Sequence, residues 1–365
     1  MKKGILLVSV FLLLFNSIAL VDAKRVIAQT VDAKDISHLE KQGCKVTHSA
    51  KELVTGVSLD CPDNLQINVA YEEDELIHIA DTRTNDKVGA SQVQDSGNTG
   101  AGRVIAVLDT GIDVSHPELS SSVYGGKCYL SNCYSYNDDN GHGSHVAGII
   151  TADGVIPAAK GIAPDARIFA GKILDANGNG YFSDMIAAIN DVAGMPGIDA
   201  ISMSISTLQV YTKSCDRTYS TLKAAINNAI SKGKIVIVAA GNDPRGVGAP
   251  ACISTAVAVG AVDFNDAIAA FSGRGSTFKL NGIVAPGVGI YSTFMNGSYT
   301  YLSGTSMATP AVSGTVALMK AKNPSLTVSQ IKSILFSTAL DLGKKGDDNI
   351  YGNGRLDALK AVSAS

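Results

Sequence analysis

Three side chains in this sequence have the types and settings for nucleophilic acyl chemistry: Asp109, His142 and Ser306. Ser306 stands in Leu302-Ser303-Gly304-Thr305-Ser306-Met307-Ala308-Thr309-Pro310, ahead of a stretch without charge through Met319. Small residues recur there at every third position, Ala308, Ala311, Gly314 and Ala317, which predicts a buried helix with a smooth face. Pro310 is expected in its first turn, where the missing N–H of proline has no partner to lose. A serine at such a helix N-terminus meets free N–H groups and the positive end of the dipole, which suits a nucleophile and its oxyanion. The same place suits a plain serine N-cap. His142 lies in Asn140-Gly141-His142-Gly143-Ser144-His145-Val146-Ala147-Gly148, flanked by glycines at the entry to a helix. Asp109 closes the apolar run Ala106-Val107-Leu108 ahead of a Gly111 turn, a setting that also fits an Asx turn. Together they supply a carboxylate to orient an imidazole, the imidazole, and a hydroxyl, in the order Asp, His, Ser. His142 and His145, three apart, also have the spacing of metal ligands, but no third ligand motif accompanies them and no Glu stands between.

The elements that must position these groups are apolar, β-branched runs alternating with helical segments. Strands are expected over 104–108, 167–173, 200–205, 235–239 and 256–262, and helices over 144–150, 183–193, 218–231, 328–336 and 356–362. Continuous apolar strands separated by helices predict a doubly wound α/β fold around a mainly parallel sheet covered on both faces. In such sheets functional groups collect at the carboxyl ends of the strands, where Asp109 falls.

The 365 residues are 45% hydrophobic and 17% charged, with a net charge of −3 and no basic block, so neither nucleic acid nor a charged membrane surface is indicated as partner. Lys2 and Lys3 precede an apolar stretch over 5–20 that ends in Val21-Asp22-Ala23, the pattern of a signal peptide over 1–23; it is short for a membrane anchor. Export agrees with six cysteines, for which we expect Cys44–Cys61, Cys128–Cys133 and Cys215–Cys252 among the 15 possible pairings, since each pair falls in one segment. After the leader, strands over 25–31, 53–59 and 76–79 and helices over 32–42 and 63–68 make a small α+β unit. Residues 81–102, polar and rich in Gly, Asn, Asp and Ser, are expected to be an exposed linker.

From about Arg103 to the C-terminus the sequence resembles the subtilisin-family serine proteases. Asp109-Thr110-Gly111-Ile112-Asp113, His142-Gly143-Ser144-His145-Val146-Ala147-Gly148 and Gly304-Thr305-Ser306-Met307-Ala308-Thr309-Pro310 match that family's three catalytic signatures in order. The resemblance implies a secreted endopeptidase acting on polypeptides without a cofactor, made as a zymogen and working as a monomer. Asn242, in Ala239-Ala240-Gly241-Asn242, takes the place of the oxyanion donor. Two backbone segments are implied as the walls of an extended peptide site: Asn177-Gly178-Asn179-Gly180 and Ser204-Ile205-Ser206. The family has glycine where Ser206 stands, so a smaller pocket is expected for the side chain before the scissile bond, with Gly241 and Gly248 beside it. Residues 24–80 resemble the family's inhibitory, ferredoxin-like propeptide, an inhibitor and folding aid removed near Ala80, leaving 81–102 and the catalytic domain over 103–365. Calcium is the candidate structural ion, through Glu118 after His116-Pro117, but Val155 stands where a loop ligand is expected. A catalytically silent binding or adhesion protein on the same fold is the alternative, because fold alone does not establish function. An esterase would be expected to carry a Gly-x-Ser-x-Gly elbow, which Ser306 lacks.

Overall fold

In this computed structural model residues 23–28, 32–48, 57–62, 65–73 and 83–365 are described. The leader, the strand expected over 76–79 and the cleavage point near Ala80 lie outside them. The chain divides into two units, Met1–His78 and Ile79–Ser365.

The smaller unit pairs four antiparallel strands in the order Lys45–His48, Val57–Pro62, Ala23–Ala28, Tyr71–Glu73. Its helix, Ala33–Lys41, is capped by Asp32, which accepts from the N–H groups of Lys34 and Asp35. Val26, Leu39, Val57 and Leu59 form its small core, and the Cys44–Cys61 disulfide lies within it. The helix expected over 63–68 is not present where residues are described: from Leu65 to Val69 every second side chain is part-buried, the period of an extended chain.

The larger unit is organised by seven parallel strands in the spatial order Gly282–Pro286, Val257–Val262, Ile235–Ala239, Ala200–Met203, Val104–Asp109, Arg167–Lys172, Val123–Cys128. Alternation along the Val104–Asp109 strand sends Ile105 and Val107 to one face and Val104, Ala106 and Leu108 to the other, so two apolar cores form. The first core is closed by the helices His142–Thr151, Thr305–Lys322 and Ala358–Ser363, the second by Phe182–Gly194 and Ser220–Ser231. The order of strands reverses at Val104–Asp109. That makes its carboxyl end the switch point where an α/β sheet opens a crevice. Two strands of this sheet escaped the sequence reading. Val123–Cys128 carries Gly125 and Gly126 instead of an apolar run, because the Tyr136 ring lies where a side chain on Gly126 would go. Gly282–Pro286 has a glycine and a proline at its ends and follows directly on the helix Ser276–Asn281, so only Ile283, Val284 and Ala285 form an apolar run.

The described residues 83–102 are not an exposed linker. They form the helices Arg83–Val88 and Ala90–Asp95, with Val88, Ala90 and Val93 buried in the first core. Their polar side chains satisfy carbonyls of other segments: Asn85 Nδ2 donates to Lys160 O and Gly161 O, and Asn98 Nδ2 to Leu318 O. Part of the polar composition therefore serves hydrogen bonds to other segments, beside exposed residues such as Asp86 and Asp95. Cys128–Cys133 and Cys215–Cys252 are both bonded, in the pairing expected from their neighbourhood.

Candidate active site

Asp109 ends its strand fully buried, and its Oδ1 accepts from the N–H of Thr110 at 2.8 Å and from His142 Nδ1 at 2.7 Å. His142 is the first residue of its helix, reached through Gly141 at φ 103°, a left-handed backbone that favours glycine. Gly143 is required too: a Cβ there would stand 2.0 Å from Gly111 O, so the histidine helix and the aspartate turn could not approach. Burial of the His142 ring works against its charged form, but the Asp109 carboxylate, by charge and by hydrogen bond, and the charge of Asp138 prevail and hold its pKa above the usual 6.5. With Nδ1 donating to Asp109, Nε2 is the free base of the neutral ring.

Ser306 is the second residue of the Thr305–Lys322 helix. Its hydroxyl donates to Ser204 O at 3.0 Å and makes no hydrogen bond with His142. Pro310 lies inside this helix and not in its first turn as expected. Its missing N–H would deprive Ser306 O of a helical donor, and the Ser204 hydroxyl supplies one at 2.8 Å. Two reciprocal contacts thus pin residue 306 to residue 204. Asn242 is oriented by the same helix: its Oδ1 accepts from the N–H and the hydroxyl of Thr305, each at 3.0 Å, which turns its Nδ2 outward. A Cβ on Gly304 would lie 3.3 Å from Asn242 Nδ2 and 3.6 Å from the Ser306 nitrogen, so both donors flank one small space.

The structure thus joins Asp109 to His142, and separately joins Asn242 to the start of the helix that carries Ser306. The family model of the subtilases matches residues 100–354. The chain belongs to the subtilase family. It is 38% identical over 281 residues to subtilisin DY of Bacillus licheniformis, covering 75% of this chain and 96% of that protein. Subtilisin Savinase of Lederbergia lenta is 40% identical over 277 residues, 76% of this chain and 96% of the relative. Subtilisin E of Bacillus subtilis is 38% identical over 308 residues, 81% and 76% of the two chains. The protein is a subtilisin-like serine endopeptidase, and the binding-module alternative is not favoured.

A cleft of about 630 Å³ runs from His142 between the two expected backbone walls, lined by residues 177–182 on one side and 204–208 with Ala249 and Pro250 on the other. Gly178, Gly180, Ser204, Ile205 and Ser206 all line it; Gly241 and Gly248 do not. Those two glycines are buried behind Ser206, whose Oγ lies 2.6 Å from where a Cβ on Gly241 would be and 1.9 Å from one on Gly248. One hydroxymethyl group therefore occupies the room left by both.

Glu118 is neither solvated nor a fit for a cation. It is fully buried, and its carboxylate accepts from the N–H groups of Gly154 (2.6 Å), Val155 (3.0 Å) and Ile156 (2.6 Å) and from Tyr299 Oη (3.1 Å). A calcium ion needs oxygen ligands, and the groups aimed at this carboxylate are donors. Among the described residues no set of three or more His, Cys, Asp or Glu is placed to hold a metal. His145 offers no ligand either: it is fully buried, its Nε2–H donates to Thr300 O at 3.1 Å, and burial pushes its pKa down to about 4. Two residues of the site escaped the sequence reading. Lys172, buried beside Asp109 in the sheet register, donates to Leu174 O and pairs with Asp139 at 2.7 Å. Asp138, in the polar run Asp138-Asp139-Asn140, is buried. An apolar strand end hid the first and an Asp-Asp-Asn run the second.

Proposed function

We propose that the chain is a secreted, self-processing endopeptidase in which Ser306 is the nucleophile. The Ser306 hydroxyl swings from Ser204 O to His142 Nε2 and attacks the scissile carbonyl, and its proton passes to the imidazole. Asp109 keeps the ring in the required tautomer and stabilises the imidazolium. Negative charge on the carbonyl oxygen is met by Asn242 Nδ2 and the Ser306 N–H. The imidazolium then protonates the leaving amine, and water resolves the acyl-enzyme by the same steps. No cofactor enters. The observation that supports this most directly is the 2.7 Å contact from His142 Nδ1 to Asp109, which leaves Nε2 as base at the end of the cleft.

The substrate is an extended polypeptide lying between residues 177–180 and 204–206, with Ser206 limiting the side chain before the scissile bond. Residues 1–23 direct export; 24–80 act as inhibitor and folding aid and are released near Ala80; the mature enzyme works as a monomer. The division into units at His78 supports a cut there. Among the described residues no helix is long and apolar enough to cross a membrane. The test is intact mass of wild type and Ser306→Ala, before and after a fluorophosphonate. Wild type shortens near Ala80 and gains one adduct, and the variant stays full length and unlabelled. Two folded, full-length, unlabelled proteins would sink the proposal.

A further inference from the structure

The strongest unused group in the larger unit is a carboxylate that hydrogen-bonds neighbours of both Asp109 and His142 but neither residue itself. Asp138 is 6% exposed. Its Oδ1 accepts from the Thr110 hydroxyl (2.8 Å) and the N–H groups of Asn140 (3.0 Å) and Gly141 (2.9 Å); its Oδ2 accepts from the N–H (2.9 Å) and the hydroxyl (2.6 Å) of Ser144. Thr110 follows Asp109 in the chain and donates its N–H to that carboxylate, and its hydroxyl also accepts from Gly143 N–H at 2.9 Å. Ser144 follows two residues after His142 and accepts from Asp113 N–H at 2.9 Å. The contacts close a ring: Asp109 to Thr110, Thr110 to Asp138, Asp138 to the first turn of the histidine helix, and His142 back to Asp109.

We propose that Asp138 is a positioning residue for the reaction, locking the strand end that carries Asp109 to the helix start that carries His142. The proposal rests on the Asp109–His142–Ser306 reading above. The physical case is one of geometry. The two elements come from different parts of the fold, and the aspartate and the imidazole are joined directly by one hydrogen bond. One bond leaves the ring free to tilt. Five bonds to a buried, charged acceptor, made from both elements, remove that freedom, and charge-assisted bonds are the stronger kind. Gly141, in its left-handed conformation, caps the helix with no side chain of its own, so Asp138 supplies the missing acceptor to the first turn, where a negative charge is also favoured by the dipole. Misplacement of a catalytic group by about 1 Å costs on the order of 10²-fold in rate.

Charge gives a readout that packing alone would not. The titratable groups around His142 are Asp109 from the strand, Asp138 from the preceding loop and His145 on its own helix; the Lys172–Asp139 pair lies beyond Thr110. Between Ser306 and Met319 the serine helix brings no charge. Asp138 is thus the second negative group acting on the imidazole, after Asp109.

The experiment compares wild type, Asp138→Asn and Thr110→Val, each normalised to active sites counted by fluorophosphonate labelling of Ser306. The expected result for Asp138→Asn is a fall in kcat per labelled site of about 10- to 100-fold, with KM little changed and the acidic midpoint of kcat/KM moved to lower pH. Thr110→Val cuts the ring at one link while keeping side-chain volume, and it decides the matter if Asp138→Asn fails to fold. Its per-site kcat should fall while the midpoint stays close to that of wild type, because the Asp138 charge is kept. Per-site kcat and midpoint equal to wild type, with only the labelled fraction reduced, would mean that Asp138 supports the fold and nothing more. A folded wild type that takes no label would instead overturn the Ser306 reading on which the proposal stands.

Discussion

Ser206→Gly should change which residue the enzyme accepts before the scissile bond. The Ser206 Oγ lies 1.9 Å from the Cβ position of Gly248 and 2.6 Å from that of Gly241, and its own Cβ lies 3.3 Å from both. The oxygen is the Ser206 atom that reaches nearest to both glycines, so removing the side chain frees the room it fills between them. Gly241 is joined to the serine helix by its N–H, which donates to the hydroxyl of Thr305, the residue before Ser306, at 3.1 Å. Full burial of a phenylalanine side chain is worth about 1.5–3 kcal/mol. If wild type excludes that burial and Ser206→Gly allows it, the Phe-to-Ala ratio of kcat/KM should rise about 10- to 150-fold, at 1.4 kcal/mol per decade. Ser206→Ala should fall between, because it keeps the Cβ and loses the oxygen. The assay is a chromogenic peptide series varying only that residue through Gly, Ala, Leu and Phe. Fastest cleavage after Phe by wild type, or a ratio that Ser206→Gly leaves unmoved, would refute the reasoning.

Asn242→Ala should lower kcat by about 10²- to 10³-fold, the cost of an oxyanion donor in subtilisin, with little change in KM, as steady-state kinetics would register. Glu118→Gln should destabilise the enzyme by about 2 kcal/mol, because a charged acceptor for three N–H groups becomes a neutral one; added calcium should not restore the Tm. Replacing Cys215 and Cys252 by Ala together should cost about 4 kcal/mol in denaturant unfolding by the chain-entropy estimate for their separation of 37 residues. The cleft should suffer too, since this disulfide ties the segment after Leu208 to the one after Pro250. The acid limb of kcat/KM should have its midpoint above pH 6.5, because His142 must be neutral to act as base and its pKa is raised. His145 has the opposite sign. Neutral in the fold down to about pH 4, it makes the unfolded chain the better proton binder between there and 6.5, so its share of stability is lost as pH falls through that window. Thermal melts of Ser306→Ala across pH 4–7 should show that slope, and His145→Gln should flatten it.

The sequence by itself determined what is local. Asp109, His142 and Ser306 are marked by glycine-flanked motifs at a strand end and two helix starts, where the backbone conformation depends on a few neighbouring residues. The parallel sheet was legible because strands buried on both faces are apolar without interruption, as in Ile235–Ala239 and Val257–Val262. Cysteine pairs close in sequence could be matched by proximity alone. Only the tertiary structure decided the meaning of the polar residues. Glu118, Asp138 and Asn85 have the composition of solvated turns, yet each is buried and partnered across tens of residues. The edge strand Val123–Cys128 and the helices that replace the expected linker belong to the same class. A buried carboxylate and an exposed one are the same letter; what distinguishes them is which N–H and O–H groups the fold carries to it, and those donors come from distant parts of the chain. Ser206 carries the same lesson at the cleft. Its type suggested a narrower pocket, and the two glycines that face its hydroxyl, 35 and 42 positions away, supply the geometry.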